Sequence, residues 1–402
     1  LQKVHLNKAE CDEILPNLVL NYERWEKARL HENGLFWQYA GKDGMEVPVG
    51  GDGERPTINS YMYGNAVAIG VIARMVGKND IAERFEARAK QIKKNVQDML
   101  WDSDAKFFKV RKHDGKLVDV REQLGFIPWY FNLPEKGKGY EVAWKQLMDP
   151  QGFYAPFGPT TAEQRHPGFK VAYTDHECQW NGPSWPFATS QTLTALANVL
   201  NDYEQDSVSK KDYFETLGIY TRSHRKREGF YFKRDEFKNK EGSSNVKFDP
   251  GPSWIDENLD PYTGDWIART RLTIMGHAGW KGRERGKDYN HSSYNDLIIS
   301  GLVGLRPRLD NIVEVNPLLP ENTWDYFCLD KVRYHDRILT IIWDKTGEKY
   351  GKGKGLSVYA NGVKIAGAPN LTKVTGTREG IALIPYVQET PVVLAVRASH
   401  TN

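Results

Sequence analysis

The sequence predicts a mainly helical protein, an (α/α)6 barrel followed by a small C-terminal antiparallel β-domain. Three observations predict it. Stretches almost without charge alternate with amphipathic, charged ones, as an inner ring of helices wrapped by an outer ring requires. No strands of βαβ type separate them. After Pro307 the texture changes to short alternating runs punctuated by Gly, Asn and Asp. The expected domains are 1–306, helical, and 311–402, sandwich-like.

Along the first domain, Ile14, Leu15, Leu18, Val19, Tyr22 and Trp25 step at helical spacing over 12–30. Gly34–Tyr39 alternates like a short strand, ahead of a glycine-rich loop over 41–54. The helix at 57–76 carries a single charge, Arg74, and is expected to be buried all round, with Gly77 ending it. Asp80 is the expected cap of the next helix, whose Ala82, Phe85, Ala89, Ile92, Val96 and Met99 form one apolar stripe.

The same alternation pairs 121–131 with 135–149, and the uncharged Pro183–Asn201 with the charged 202–222; His291–Leu305 is again mostly apolar. Aromatic hairpin-like pieces lie between, at Phe107-Phe108, Phe153-Tyr154 and Phe230-Tyr231-Phe232. A solenoid is the competing layout, but no fixed repeat period is present. The helical patterns are fewer than six closed pairs require. Either some are cryptic, or the first pair or two lie upstream of Leu1. Expected strands of the second domain include 332–334, 339–343, 356–359 and 391–396, with a turn at Asn361-Gly362. The lysine- and glycine-rich 345–355 lacks the order of a phosphate-binding loop and reads as a solvated one.

Composition narrows the function classes. With 55 basic and 52 acidic residues evenly spread, the net charge of +3 gives no nucleic-acid or membrane field. No apolar run approaches a membrane span. Three separated cysteines, Cys11, Cys178 and Cys328, exclude a disulfide framework. A periplasmic or secreted location is preferred over a cytoplasmic one, and the oligomeric state stays open.

Chemistry concentrates in three loops expected at one end of the helices. The first is Lys42-Asp43-Gly44-Met45-Glu46, ahead of Arg55, Tyr61 and Tyr63. The second runs from Asp175 through Gln179-Trp180-Asn181 to Trp185-Pro186. The third, Pro252–Asp265, packs Asp256, Glu257 and Asp260 into a loop that Pro261 keeps from being helical and Thr263-Gly264 turns sharply. So much acid is expected to face water, an ion or a substrate. Two carboxylates on opposing loops with tryptophans between them are what glycoside hydrolysis needs: one protonates the leaving oxygen, the other activates water or attacks the sugar.

These loops resemble the trehalase and processing α-glucosidase families (glycoside hydrolase families 37 and 63) and mannosylglycerate-hydrolase-like bacterial glycosidases, over about residues 10–305. Lys42–Glu46 is similar to their Glu-Ser-Gly-(Trp/Met)-Asp acid motif, with Glu46 where the family has Asp. Gln179–Pro186 resembles the Gln-Trp-Asp-x-Pro and Gly-Pro-x-Trp-Pro signatures, Glu257–Gly264 the general-base segment, and the stretch from His291 the final inner helix.

The resemblance implies inverting, exo-acting hydrolysis of an α-linked gluco- or manno-configured glycoside without cofactor or metal. Glu46, set against Trp37 or other aromatics, would be the acid and Glu257 the base. Trp37, Asp43, Arg55, Tyr61, Tyr63, Gln179, Trp180, Asn181, Trp185 and His291 would bind substrate.

Alternatives stand beside each role. Asp43 could replace Glu46 as acid, or Glu46 could merely balance Arg55. Asp256, Glu257 and Asp260 could hold calcium. Trp180 and Trp185 could be core, and Arg55, Tyr61 and Tyr63 could bridge helices. His176-Glu177 lacks a second histidine at ligand spacing. The whole could be a degenerate, non-catalytic carbohydrate-binding barrel, or a lyase or rhamnosidase-like enzyme, though a lyase would want basic groups that these loops lack.

Overall fold

Helix α1 (Lys8–Arg29) buries Cys11, Leu15 and Tyr22, a stripe at helical spacing, and leaves Ile14 49% exposed. The computed structural model describes residues 7–173, 176–225, 253–274, 288–289, 293–377 and 379–380, with the side chains of 271–274 not described. It forms two compact units, Cys11–Ser293 and one that combines 7–10 with Tyr294 onward.

The strand expected over Gly34–Tyr39 reduces to β1 (Trp37–Gln38), paired antiparallel with β2 (Gly53–Glu54). This two-residue ladder closes the base of the loop that carries Glu46. Proline at the first position of α2 (Pro56–Met75) suits a helix start, where its missing N–H has no intrahelical partner to lose. Ile58, Met62, Ala66, Ile69 and Ala73 are buried, but Val67 and Val71 on the opposite face are 39% and 38% exposed. The expectation of all-round burial fails because low charge does not by itself supply a second packing partner.

Gly77, at φ +78°, follows α2, and α3 (Asn79–Met99) packs back on it through Ala82, Phe85, Ala89, Ile92 and Val96. Lys78, not Asp80, occupies the cap position; Asp80 lies in the first turn, where it favours the helix dipole instead.

Hairpin β3 (Trp101–Asp102) and β4 (Phe107–Phe108) leads into an aromatic core in which Phe126 stacks on Trp144 at 4.4 Å. Here helix pairing is weaker than expected. Only a 3-10 turn at Gln123–Phe126, α4 (Ile127–Tyr130) and a 3-10 stretch at Tyr140–Gln146 form, and Phe153-Tyr154 is no strand. Pro128, Pro134 and Gly139, the last at φ +79°, break the backbone too often for full helices.

Helix α5 (Pro186–Asp202) is buried and packs against α6 (Lys210–Ser223), which begins with a capping box between Ser209 and Asp212. Helix α7 (Ile267–Ile274) follows the acidic loop. These seven α-helices are those of the first unit among the described residues, and the mainly helical class holds. Phe230-Tyr231-Phe232 lies outside the described residues. No helix of the described residues is long and apolar enough to cross a membrane.

Helix α8 (Ser293–Asp296) begins at the last residue of the first unit, and a π-helical turn, Leu297–Leu302, follows in the second. Strands β5 (Leu305–Arg306) and β6 (Ile312–Val315) precede β7 (Tyr326–Tyr334), β8 (Arg337–Asp344), β9 (Gly355–Ala360), β10 (Val363–Ala368) and β11 (Val374–Thr377). All pairings are antiparallel, in sheets of order β10-β9-β8-β7 and β11-β6-β5. Asn361 and Gly362, at φ +48° and +81°, make the tight β9–β10 turn. The run 391–396 lies outside the described residues.

Candidate active site

The first loop is anchored by its own aspartate. Arg55, fully buried at the head of α2, donates from Nε to Asp43 Oδ2 at 2.8 Å, from Nη1 to the Gly51 carbonyl and from Nη2 to Met45 Sδ. Thr57 Oγ1 donates to the same carboxylate oxygen. Asp43 is thereby committed to holding the loop. Glu46, three residues on, is half-buried, and Val47 after it sits at φ +56°, a region that strains a β-branched residue.

The second loop is a strip between the other two. The Trp180 backbone N–H donates to the Glu46 carbonyl at 3.0 Å, and Ser184 exchanges backbone hydrogen bonds with Leu259 of the third loop, both 2.9 Å. Trp180 and Trp185 are stacked at 4.4 Å in a buried cluster with Met45, Val110, Leu124 and Ala188. They form a floor, and Trp185 Nε1 donates to the Gln179 carbonyl at 2.7 Å. Gln179 is fully buried, its Nε2 donating to the carbonyls of Ala172 and His176. Gln179 Oε1, Trp180 Nε1 and Asn181 Oδ1 have no hydrogen-bond partner among the described residues. His176 Nδ1 accepts the Cys178 N–H at 3.0 Å.

The third loop corrects the expectation that its acids face outward. Asp256 is 1% exposed and takes two hydrogen bonds from Arg269, at 3.0 and 2.8 Å; burial nevertheless raises its pKa. Asp260 is buried too, accepting the N–H groups of Tyr262 and Thr263 and the Tyr173 hydroxyl. Asp265, with Thr270 donating to it, has its pKa pushed up to about 6 by burial. These carboxylates turn to different partners instead of forming an oxygen cage, and no metal-holding cluster of three or more His, Cys, Asp or Glu occurs among the described residues. The turn itself is as expected: the Gly264 N–H, at φ +73°, donates to the Asp260 carbonyl.

Glu257 is the exception, half-buried with Oε2 accepting the Cys178 S–H at 3.2 Å. The Cys178 thiol pKa is raised by burial, by the charge and hydrogen bond of Glu257, and by the charge of Glu46. Tyr289, delivered beside the loop by the bond from Asp288 N–H to the Ile255 carbonyl, is pushed up to about 12 by burial and then by Glu257, Cys178 and Glu46. Cys178 and Tyr289 both pack against the Trp180–Trp185 cluster, Tyr289 edge-on to Trp185 at 6.2 Å, and the charges of both glutamates reach them. Cys178 and Tyr289 were not among the sequence candidates. The first lies in the second loop, one residue ahead of the Gln179–Pro186 signature; the second has no motif around it.

Trp37 and Tyr63 lie apart. Trp37 is not the ring beside Glu46: it stacks on His113 at 3.5 Å and on His31 at 5.4 Å, lining a cavity that neither glutamate lines. Tyr61 accepts from Gln191 Nε2 at 2.8 Å and feels the charges of Asp43 and Arg55, with burial raising its pKa. Tyr63, two residues along the helix, points away from Tyr61 and lies near Tyr203. His291 and Asp175 are outside the described residues.

A family profile described as the mannosylglycerate hydrolase MGH1-like glycoside hydrolase domain matches residues 1–292, and one for the glycosyl hydrolase family 65 C-terminal domain matches 305–366. Among solved structures, a sialidase is 41% identical with a TM-score of 0.82, over 94% of this chain and 32% of that one, so the chain spans about a third of that sialidase. The GH63 mannosylglycerate hydrolase of Thermus thermophilus, in complex with glucose, is 14% identical over 67% of this chain and 69% of its own, with a TM-score of 0.45. The neutral trehalase of Saccharomyces cerevisiae is 12% identical over 61% and 39%, with a TM-score of 0.35. The last two are too distant to bear on the fold. By the profile that covers most of its length, the chain belongs to the MGH1-like glycoside hydrolase family.

Proposed function

We propose that this chain is the catalytic part of an inverting, exo-acting α-glycosidase, with Glu46 as general acid and Glu257 as general base. One observation carries the reading: a single short strip bonds to both half-buried glutamates, Cys178 Sγ to the Glu257 carboxylate at 3.2 Å and the Trp180 N–H to the Glu46 carbonyl at 3.0 Å. The neighbouring aspartates Asp43, Asp256 and Asp260 are each engaged in holding a loop. That supports Glu46 over Asp43 as the proton donor.

Glu46 gives its proton to the glycosidic oxygen as the bond to the anomeric carbon breaks. Glu257 takes a proton from the water that attacks the opposite face, so the product leaves with inverted configuration. The reading includes an (α/α)6 arrangement of the helix pairs and an α-linked gluco- or manno-configured substrate.

The test is a screen of chromogenic α-glucoside, α-mannoside and α-sialoside, the last because of the related sialidase. Glu46→Gln and Glu257→Gln should each lower the rate by about 10²–10⁴-fold, and NMR of the first product formed should show the inverted anomer. Unchanged hydrolysis in both variants refutes the assignment. Sugar binding without turnover in the wild type makes this a binding module instead.

A further inference from the structure

A concave surface apart from the two glutamates lies between the C-terminal end of α1, the β1–β2 ladder and the tight turn that joins Arg111 to Leu117. Its volume is about 730 Å³, within the range of about 300–1,000 Å³ of sites that hold a small molecule. Lys27, Arg29, Lys112 and Lys116 line it, against the carboxylates of Asp52 and Asp114.

Counted this way the cleft carries a net charge of +2, and the pairing of Lys116 with Asp114 leaves three cations facing the one carboxylate of Asp52. Asp114 is taken by Lys116 at 3.7 Å, and the Asp52 carboxylate accepts the Ala40 N–H at 2.7 Å. Among the described residues Lys27, Arg29 and Lys112 have no carboxylate within ion-pair distance, and Lys112 Nζ donates instead to the carbonyls of Gly50 and Asp52. Cations gathered in one concavity repel each other, and a bound anion relieves that repulsion.

The walls are aromatic and fixed. Tyr39 is 49% exposed, with the Arg29 guanidinium 4.9 Å from its ring centroid. His113 lies flat on Trp37. Beneath them the buried Glu54 carboxylate receives Asn33 Nδ2 at 2.8 Å and Arg111 Nη1 at 2.7 Å, and lies 3.0 Å from His31 Nδ1, so the wall is built before any ligand arrives.

We propose that this cleft binds an acidic saccharide, one bearing carboxylate or sulfate groups. The anion would meet Lys27, Arg29 and Lys112, with a pyranose face on Tyr39. Pocketed shape and an overall charge of only +3 favour a sugar over a nucleic acid, which would need an extended basic field. The proposal stands independently of the roles given to Glu46 and Glu257.

Calorimetric titration of the full chain with an oligogalacturonate, a heparin-derived sulfated oligosaccharide, maltotetraose and a short DNA duplex tests it. The expected result is binding of at least one acidic saccharide, weakened by salt, with maltotetraose and DNA not bound at this cleft. Whichever acidic sugar binds distinguishes the carboxylate source from the sulfate source. The exposed double change Lys27→Glu/Lys116→Glu should weaken that binding at least tenfold, and Tyr39→Ala a few-fold, with circular dichroism unchanged in both. No binding of either acidic sugar overturns the proposal, as does binding untouched by the charge reversal. Binding indifferent to Tyr39→Ala, or matched by DNA, overturns the saccharide assignment.

Discussion

The loops that carry Glu46 and Glu257 are built alike and held differently. In each, an aspartate is clamped by an arginine at the head of the following helix: Asp43 by Arg55 before α2, Asp256 by Arg269 in the first turn of α7. In each, a glutamate close to that aspartate stays half-buried. The third loop, however, is laced further by Asp260 and Asp265, and its sharp turn falls on Gly264, a residue suited to positive φ. The first loop has its left-handed residue at Val47, where a side chain resists it. One loop is relaxed into its shape. The other is held there by its clamp and by the Trp180 bond.

The comparison breaks most directly at the arginines. Arg55→Met and Arg269→Met each leave a buried aspartate without its cation, and each should cost about 3–5 kcal/mol in urea unfolding. A loss under about 1 kcal/mol for Arg55→Met would mean the first loop is not held by that clamp.

Asp265 sharpens the account of the third loop through pH. Its pKa in the folded chain, about 6, lies above the ordinary 3.8, so the folded state holds the proton more tightly. Its contribution is full below about pH 4 and is lost as pH rises through 6, about 3 kcal/mol in all. Asp265→Asn should therefore flatten the fall in stability between pH 4 and 6 relative to wild type, measured by urea unfolding across that range. The smallest effect is expected at Val47→Gly, which should raise stability by about 1 kcal/mol by relieving the strained backbone. No gain in thermal midpoint would mean that Val47 is not strained.

Much of this was legible in the sequence because periodicity reports directly on burial. Helices α1 and α3 follow their apolar spacing, α2, α5 and α6 fall where the sequence alternates between uncharged and charged stretches, and the meander of the second unit follows its turn residues. The pair at 121–149 failed because apolar content outvoted Pro128, Pro134 and Gly139, which decide the backbone locally. The acids of the third loop were misread for a different reason. A run of carboxylates shows its cost of burial but not its partners, and Arg269, Tyr173 and Thr270 are joined to them only by the fold. Glu46 and Glu257, the proposed acid and base, stand in motifs, whereas Tyr289 has no local pattern to mark it.

The middle strip, tied to one glutamate through Trp180 and to the neighbourhood of the other through Ser184, acts as a ruler between them. Inserting or deleting a single residue between those two anchors would change the gap without touching either helix framework. On the proposed assignment of Glu46 and Glu257, the gap between their carboxyl groups decides whether water fits or the sugar is attacked directly, so the length of this short segment would set the stereochemical outcome.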